Sequence, residues 1–346
     1  MIQVTVEQKK RGNVMNPTTS VNKGLKVLLT GVFAAVCISA SASLPFVEDF
    51  EALDLGPLSG QHDWVVLHGE TADVQAGIVR SGFKALEIEA ASIVRPMSSD
   101  ANLLWMRFFV RLEDAPGDVP LVGEDTSLAF YINPDLEVVV YDGPETPVLT
   151  GHVVPIETWV QFDVFADYDN GRWLLGMDGS TIAYNLAFYD DDLRQLDGIY
   201  FESGGVMTYL DDITMDGDEP AFARDLDADG DGLPDWWEQR FYNGITVADP
   251  NAQSAADISL LDTYVSGLDP LDPAARFLMS IDPADRGLQW QRQPGRLYDI
   301  YWTESLMAVA GWELIVENHP GSEFTDTDPD RTAEPAAFYK LRVRTP

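Results

Sequence analysis

Hydrophobic and polar positions alternate along much of the chain with the two-residue period of a half-buried strand. Leu103 to Leu112 is the clearest run: Met106, Phe108 and Val110 share one face, Arg107 and Arg111 the other. Trp159 to Phe165, Trp173 to Met177 and Thr208 to Met215 follow the same rule. Asp178-Gly179 separates Trp173–Met177 from Thr181–Tyr184, and this dipeptide suits a tight hairpin turn. No long helical period appears before residue 220. Strands spaced about ten residues apart, with no helices between them, predict an antiparallel sandwich of jelly-roll type over residues 43–218.

The pattern changes after a polar stretch from Gly217 to Arg224 that includes Pro220. Residues 219–274 predict two short helices, Asp235–Tyr242 and Ala256–Ser266. The second ends at Gly267, with Pro270 and Pro273 beyond it. From Phe277 onward strand signals return at Gly287–Gln291, Leu297–Trp302, Trp312–Val316 and Ala337–Val343. Residues 275–346 therefore predict a small C-terminal β-sandwich of fibronectin or immunoglobulin type. The fold class is mainly β, with a short helical segment between two β modules.

Residues 1–42 read as a secretory signal. Lys23 and Lys26 precede an apolar run from Val27 to Ile38, and Ala40-Ser41-Ala42 suits a cleavage site. About twelve apolar residues are too few to span a bilayer of about 30 Å, so no membrane span is expected in the mature chain. The stretch before Lys23 is long for such a signal, which makes Met15 an alternative start. Cys37 follows Val36, a poor match to a lipoprotein cleavage box. It is also the one cysteine of the sequence. A processed chain therefore has no thiol or disulfide chemistry.

Charge narrows the partners. Removing residues 1–42 takes five of 22 basic and one of 57 acidic residues, leaving 17 against 56 and a net charge of −39. Such a field repels phosphate backbones and anionic membranes, so nucleic acid is excluded as the expected partner and divalent cations are favoured.

The acids are not evenly spread. Calcium takes six to eight oxygen ligands, and an EF-hand loop supplies them from positions 1, 3, 5, 7, 9 and 12. With Asp227 as position 1, the ligands become Asp227, Asp229, Asp231, the carbonyl of Leu233, Asp235 and Glu238, with Glu238 expected to clamp the ion through both oxygens. Gly232 falls at position 6, where the turn demands glycine. At this chain's composition, the chance of five acids and a glycine in those places is about 0.003 over the whole sequence. Position 8 is Pro234, which lacks the N–H that would pair two loops in a ribbon. Residues 252–263 lie where a partner loop would be, but Ser254, Ala256 and Leu260 cannot supply its carboxylates. A solitary structural site is expected, not a cooperative sensor pair.

Asp-Ala-Asp-Gly-Asp-Gly-Leu-Pro-Asp-Trp-Trp-Glu (227–238), Ala248-Asp249-Pro250-Asn251 and Gly267-Leu268-Asp269-Pro270 together resemble the thrombospondin type 3-like calcium modules of bacterial secreted proteins. Asp257-Ile258-Ser259-Leu260-Leu261 is also similar to a dockerin helix. The resemblance covers about 50 residues and implies a calcium cofactor.

Residues 46–216 resemble concanavalin A-like jelly rolls of LamG type. Phe46-Val47-Glu48-Asp49-Phe50, Trp159, Trp173-Leu174-Leu175 before Asp178-Gly179, and Tyr209-Leu210-Asp211-Asp212-Ile213 carry the likeness. It implies a glycan or protein ligand, and Glu48 with Asp211 or Asp212 becomes a candidate for a second calcium. Glu87 and Glu89 are the nearest match to a glycosidase acid pair, which needs two carboxylates about 5–5.5 Å apart, but a third acid is missing. No Gly-x-Ser-x-Gly or His-Glu-x-x-His motif is present, and His62, His68, His152 and His319 lack zinc spacing. Trp64, Trp105, Trp159 and Trp173 are candidate sugar platforms that double as candidate core. Residues Leu297–Trp302, Trp312-Glu313 and Phe338–Leu341 resemble the small terminal β modules of bacterial surface proteins and carry no chemistry of their own.

The expectation is a secreted or cell-surface calcium-binding protein that is not an enzyme, whose jelly roll binds carbohydrate, a polysaccharide or another surface component. A polysaccharide-degrading hydrolase or its degenerate relative, and a purely structural matrix protein, are the alternatives.

Overall fold

The structure is a computed structural model. It describes residues 2–5, 26–27 and 43–345, except 118–121, 123–125, 145, 283, 307–310 and 335. The expected signal falls in residues 1–42 and lies outside the described residues, apart from the short strands Ile2–Thr5 and Lys26–Val27. The chain divides into two compact units, residues 1–218 and 219–346. Among the described residues no helix is long and apolar enough to cross a membrane.

The first unit is a jelly-roll β-sandwich, as the alternation predicts. One layer runs Ser180–Ala187, Arg172–Met177, Val160–Asp167, Leu103–Leu112 and Thr208–Asp216, each antiparallel to the next. The other contains Pro147–Val153, Glu137–Tyr141, Leu128–Ile132 and Leu196–Glu202, with Ile2–Thr5 between the last two. The 15-residue strand Ala85–Ser99 serves both layers. Its residues 86–88 pair with Thr208–Asp216, and residues 92–99 pair with Leu196–Glu202. Rings from both layers meet between them: Phe108 lies 6.5 Å from Phe130 and 5.6 Å from Phe201, and Phe130 lies 5.1 Å from Phe162.

Strand Leu103–Leu112 has the bounds and inward face that the sequence predicts, with Met106, Phe108 and Val110 buried. Its other face is less polar than expected, because Trp105 and Phe109 are buried there beside the half-buried Arg107 and Arg111. Asp178 and Gly179 both take positive φ, 48° and 79°, the geometry a two-residue hairpin needs to match strand twist.

In the second unit, helix α1 spans Asp235–Tyr242 and helix α2 spans Leu260–Val265. Helix α2 is shorter than the expected Ala256–Ser266. Asp257 sits at φ 58°, outside helical space, and the Ser254 hydroxyl takes the amides of Ala256 and Ile258. The helix then starts behind Ser259, whose hydroxyl caps the Asp262 amide. Trp236 and Trp237 of α1 pack against Tyr264 of α2, at 6.2 and 6.0 Å. The Tyr264 hydroxyl donates to Glu219, which is also paired with the guanidinium of Arg296, and all three residues are buried.

Two three-stranded sheets follow. Gly287–Trp290 sits between Met279–Asp282 and Glu323–Thr325, and Leu297–Thr303 sits between Glu313–His319 and Phe338–Arg344. Leu288 and Trp290 of one sheet bury against Tyr298 and Ile300 of the other, giving a small β-sandwich.

Candidate metal centre

The loop from Asp227 to Glu238 is folded by its own amides. Asp227 accepts from the Gly230 amide at 2.9 Å and from the Gly232 amide at 3.0 Å, one bond to each oxygen. Gly230 and Gly232 take φ of 71° and 93°, conformations open to glycine at little cost. Asp231 accepts from the Leu233 amide, and Asp235 accepts from the Ala228 amide, both at 2.8 Å. Leu233 and Asp235 are fully buried.

These bonds draw three carboxylates together. Asp227, Asp229 and Asp231 each offer an oxygen, and the three oxygens lie within 4.8 Å of one another. Glu238, on α1, feels the charges of Asp229 and Asp231. Its Oε1 accepts from the Val247 and Ala248 amides at 2.8 and 2.7 Å. Its Oε2 is buried with no hydrogen-bond partner, and the residue as a whole is fully buried. Burial raises the Glu238 pKa, and Asp229 and Asp231 push it further, against the two amides. Asp231 is raised in the same way, by burial first and then by Asp229, Asp227 and Asp249. Among the described residues, Asp227, Asp229, Asp231 and Glu238 have no arginine or lysine partner. A buried carboxylate oxygen facing like charges is costly unless a cation completes the site.

Hard oxygen donors in this number suit calcium. Within Glu238 the two oxygens differ: Oε1 accepts two backbone amides and Oε2 has no partner. Asp249, whose charge acts on Asp231, lies in the Ala248–Asn251 stretch that carries the calcium-module resemblance, but the loop spacing did not name it as a ligand.

The candidate second calcium residues have other partners. Glu48 accepts from the Phe50 amide and from the Trp64 ring N–H, and its Oε2 also lies 3.2 Å from His62 Nδ1. Asp211 is buried, accepts from the Arg80, Ser81 and Asp212 amides, and has its pKa lifted to about 6 by burial. Asp212 pairs with the Arg80 guanidinium at 2.5 Å. That guanidinium supplies the positive charge an ion would bring. Glu48, Asp211 and Asp212 form no shared carboxylate cluster among the described residues.

No family model matches the chain, and no curated protein does. Solved structures are similar to parts of it. A cellulose-induced protein, Cip1, is 14% identical over 50% of this chain and 97% of its own, with a TM-score of 0.37. An endo-β-1,4-glucuronan lyase from the fungus Trichoderma reesei is 14% identical over 51% of this chain and 96% of its own, also at 0.37. A sialidase is 11% identical over 44% of this chain at 0.34, and the match spans 17% of the sialidase's length.

On the jelly roll, Glu87, Tyr209 and Arg111 face one another across three neighbouring strands. Burial lifts the Tyr209 hydroxyl to about 12, with Glu87 next in effect. Arg111 also donates to Glu113 at 2.7 Å. Trp64 and Trp173 belong to the core, Trp105 is buried, and Trp159 is half-buried. The sequence placed these tryptophans as platforms or core, and packing decides for core at Trp64 and Trp173.

Proposed function

We propose that the chain is an exported modular protein whose loop 227–238 holds one calcium ion in a structural role. The observations that carry this reading are the three carboxylates of Asp227, Asp229 and Asp231 within 4.8 Å of one another and the buried, unpartnered Oε2 of Glu238, on which the charges of Asp229 and Asp231 act. Asp227, Asp229, Asp231 and Glu238 would hold the ion, with Asp235 direct or through water and the Leu233 carbonyl completing the set. Calcium at the millimolar level typical outside cells would fill even a site of about 10⁻⁴–10⁻³ M affinity. Export is supported by the charge and cysteine content and by the signal-like pattern of residues 1–42. Titration calorimetry of the full chain tests the metal reading: a calcium heat is expected from the wild type and none from Asp229→Ala. A wild-type chain without that heat would sink it.

The jelly roll is proposed to take a carbohydrate chain. The Glu87–Tyr209–Arg111 row supports this, since it sets hydrogen-bonding groups side by side on one face of the sheet. A glycan array in calcium, run on wild type and Arg111→Ala, tests it. Binding that the substitution weakens supports the row; a blank array favours a purely structural protein. Shortened oligosaccharide products would point instead to a polysaccharide-degrading enzyme.

A further inference from the structure

Glu238 is placed as a bridge between two parts of the calcium segment. Behind α1 the chain passes through residues 243–249 with no regular secondary structure. Asn243 ends the helix in the left-handed region, at φ 58°, with its amide on the Gln239 carbonyl. Further along, the Val247 and Ala248 amides both donate to the same atom, Glu238 Oε1. The other oxygen of that carboxylate is buried without a hydrogen-bond partner, and the charges of Asp229 and Asp231 act on the group. Asp249, at the end of the connector, adds its negative charge beside Asp231.

We propose that calcium in loop 227–238 latches the connector 243–249 through Glu238, so that occupancy of the site sets the order of that connector. The proposal rests on the calcium reading above. With the ion present, Oε2 is neutralised, the carboxylate stays where it is, and Oε1 keeps both amides. The ion also offsets the repulsion between Asp249 and Asp231, because each carboxylate is then attracted to a divalent charge. Without the ion, a buried, unpartnered carboxylate oxygen under the repulsion of Asp229 and Asp231 is driven toward water. Turning Glu238 outward strips Val247 and Ala248 of their acceptor in one motion. Asp249 is repelled in the same direction. A single side chain thereby converts metal binding into order of backbone that contributes no ligand in the EF-hand pattern.

Loop 252–263 supplies the internal control. Its Ile258 amide is held by the Ser254 hydroxyl, with no carboxylate involved. Residue-resolved amide hydrogen exchange of the full chain, with millimolar calcium and with EGTA, tests the latch. Val247 and Ala248 are expected to exchange at least about tenfold faster in EGTA, while Ile258 changes by less than about twofold. Asp229→Ala touches neither amide and should show the fast pattern even in calcium. Calorimetry on the same samples separates the two ways of failing. A calcium heat with unmoved Val247 and Ala248 overturns the latch and leaves the metal site standing. A uniform change across Val247, Ala248 and Ile258 also overturns it, since general loosening needs no bridge. Absence of any calcium heat overturns both.

Discussion

Loops 227–238 and 252–263 share a backbone plan but differ in what satisfies it. Each delivers its helix at the ninth position, α1 at Asp235 and α2 at Leu260. Each has a left-handed residue at the sixth, Gly232 at φ 93° and Asp257 at φ 58°. Each helix is followed by an Asp-Pro pair, Asp249-Pro250 and Asp269-Pro270, whose aspartate accepts the amide two residues on. The first loop leaves a carboxylate oxygen buried without a partner; the second closes on itself. Ser254 takes the amides of Ala256 and Ile258, and Thr263, at the twelfth position, donates to the Ser259 carbonyl. On the proposed reading, the same fold of chain is completed by a cation in one half, and in the other it is closed by hydroxyls.

If that contrast is right, the second half should depend on its side-chain network and be indifferent to calcium. Arg296→Met leaves Glu219 as a buried, half-satisfied charge beside Tyr264 and should cost about 3–5 kcal/mol, measured by denaturant unfolding with and without calcium. An effect that vanished in EGTA would break the contrast. The first half should depend on the ion. At calcium about twenty times the dissociation constant, binding adds about 2 kcal/mol to stability, which Asp229→Ala should remove. Ser254→Ala deprives two amides of their acceptor and should cost about 1–2 kcal/mol, equally in calcium and EGTA.

pH sharpens the comparison further. Burial, with neighbouring carboxylates, raises Asp231 and Glu238 above the ordinary carboxylate range. The folded, ion-free chain therefore holds more protons than the unfolded chain, and its stability rises as pH falls through those raised values. With calcium present protons compete with the ion, so stability falls over the same interval. Melting curves between pH 7 and 5, with calcium and with EGTA, should slope in opposite directions. The smallest effect is expected at the sixth position of the second loop: Asp257→Gly should change stability by less than about 1 kcal/mol and create no calcium site.

Much of this was legible in the sequence where one local rule governs. The alternation over Leu103–Leu112 gave both the strand and its inward face, and Asp235–Tyr242 emerged with its expected bounds. Of the carboxylates that the spacing from Asp227 to Glu238 named, Asp227, Asp229 and Asp231 gather. What the sequence could not show depends on contacts made across chain distance. The commitment of Glu238 Oε1 to Val247 and Ala248, and the charge of Asp249 on Asp231, follow from the path the connector takes. The Arg80 guanidinium on Asp212 likewise joins residues 132 apart in sequence. The shortening of α2 was hidden for a different reason: Ser254 and Asp257 fit a helix by composition and leave it by hydrogen bonding.

The central claim is that one ion, held through Asp227, Asp229, Asp231 and Glu238, completes the first loop and none completes the second. Calcium titration calorimetry of the full chain measures this directly. One binding event per chain, lost in Asp229→Ala and kept in Ser254→Ala, is the predicted result. No binding in the wild type, or binding that survives Asp229→Ala unchanged, would contradict it.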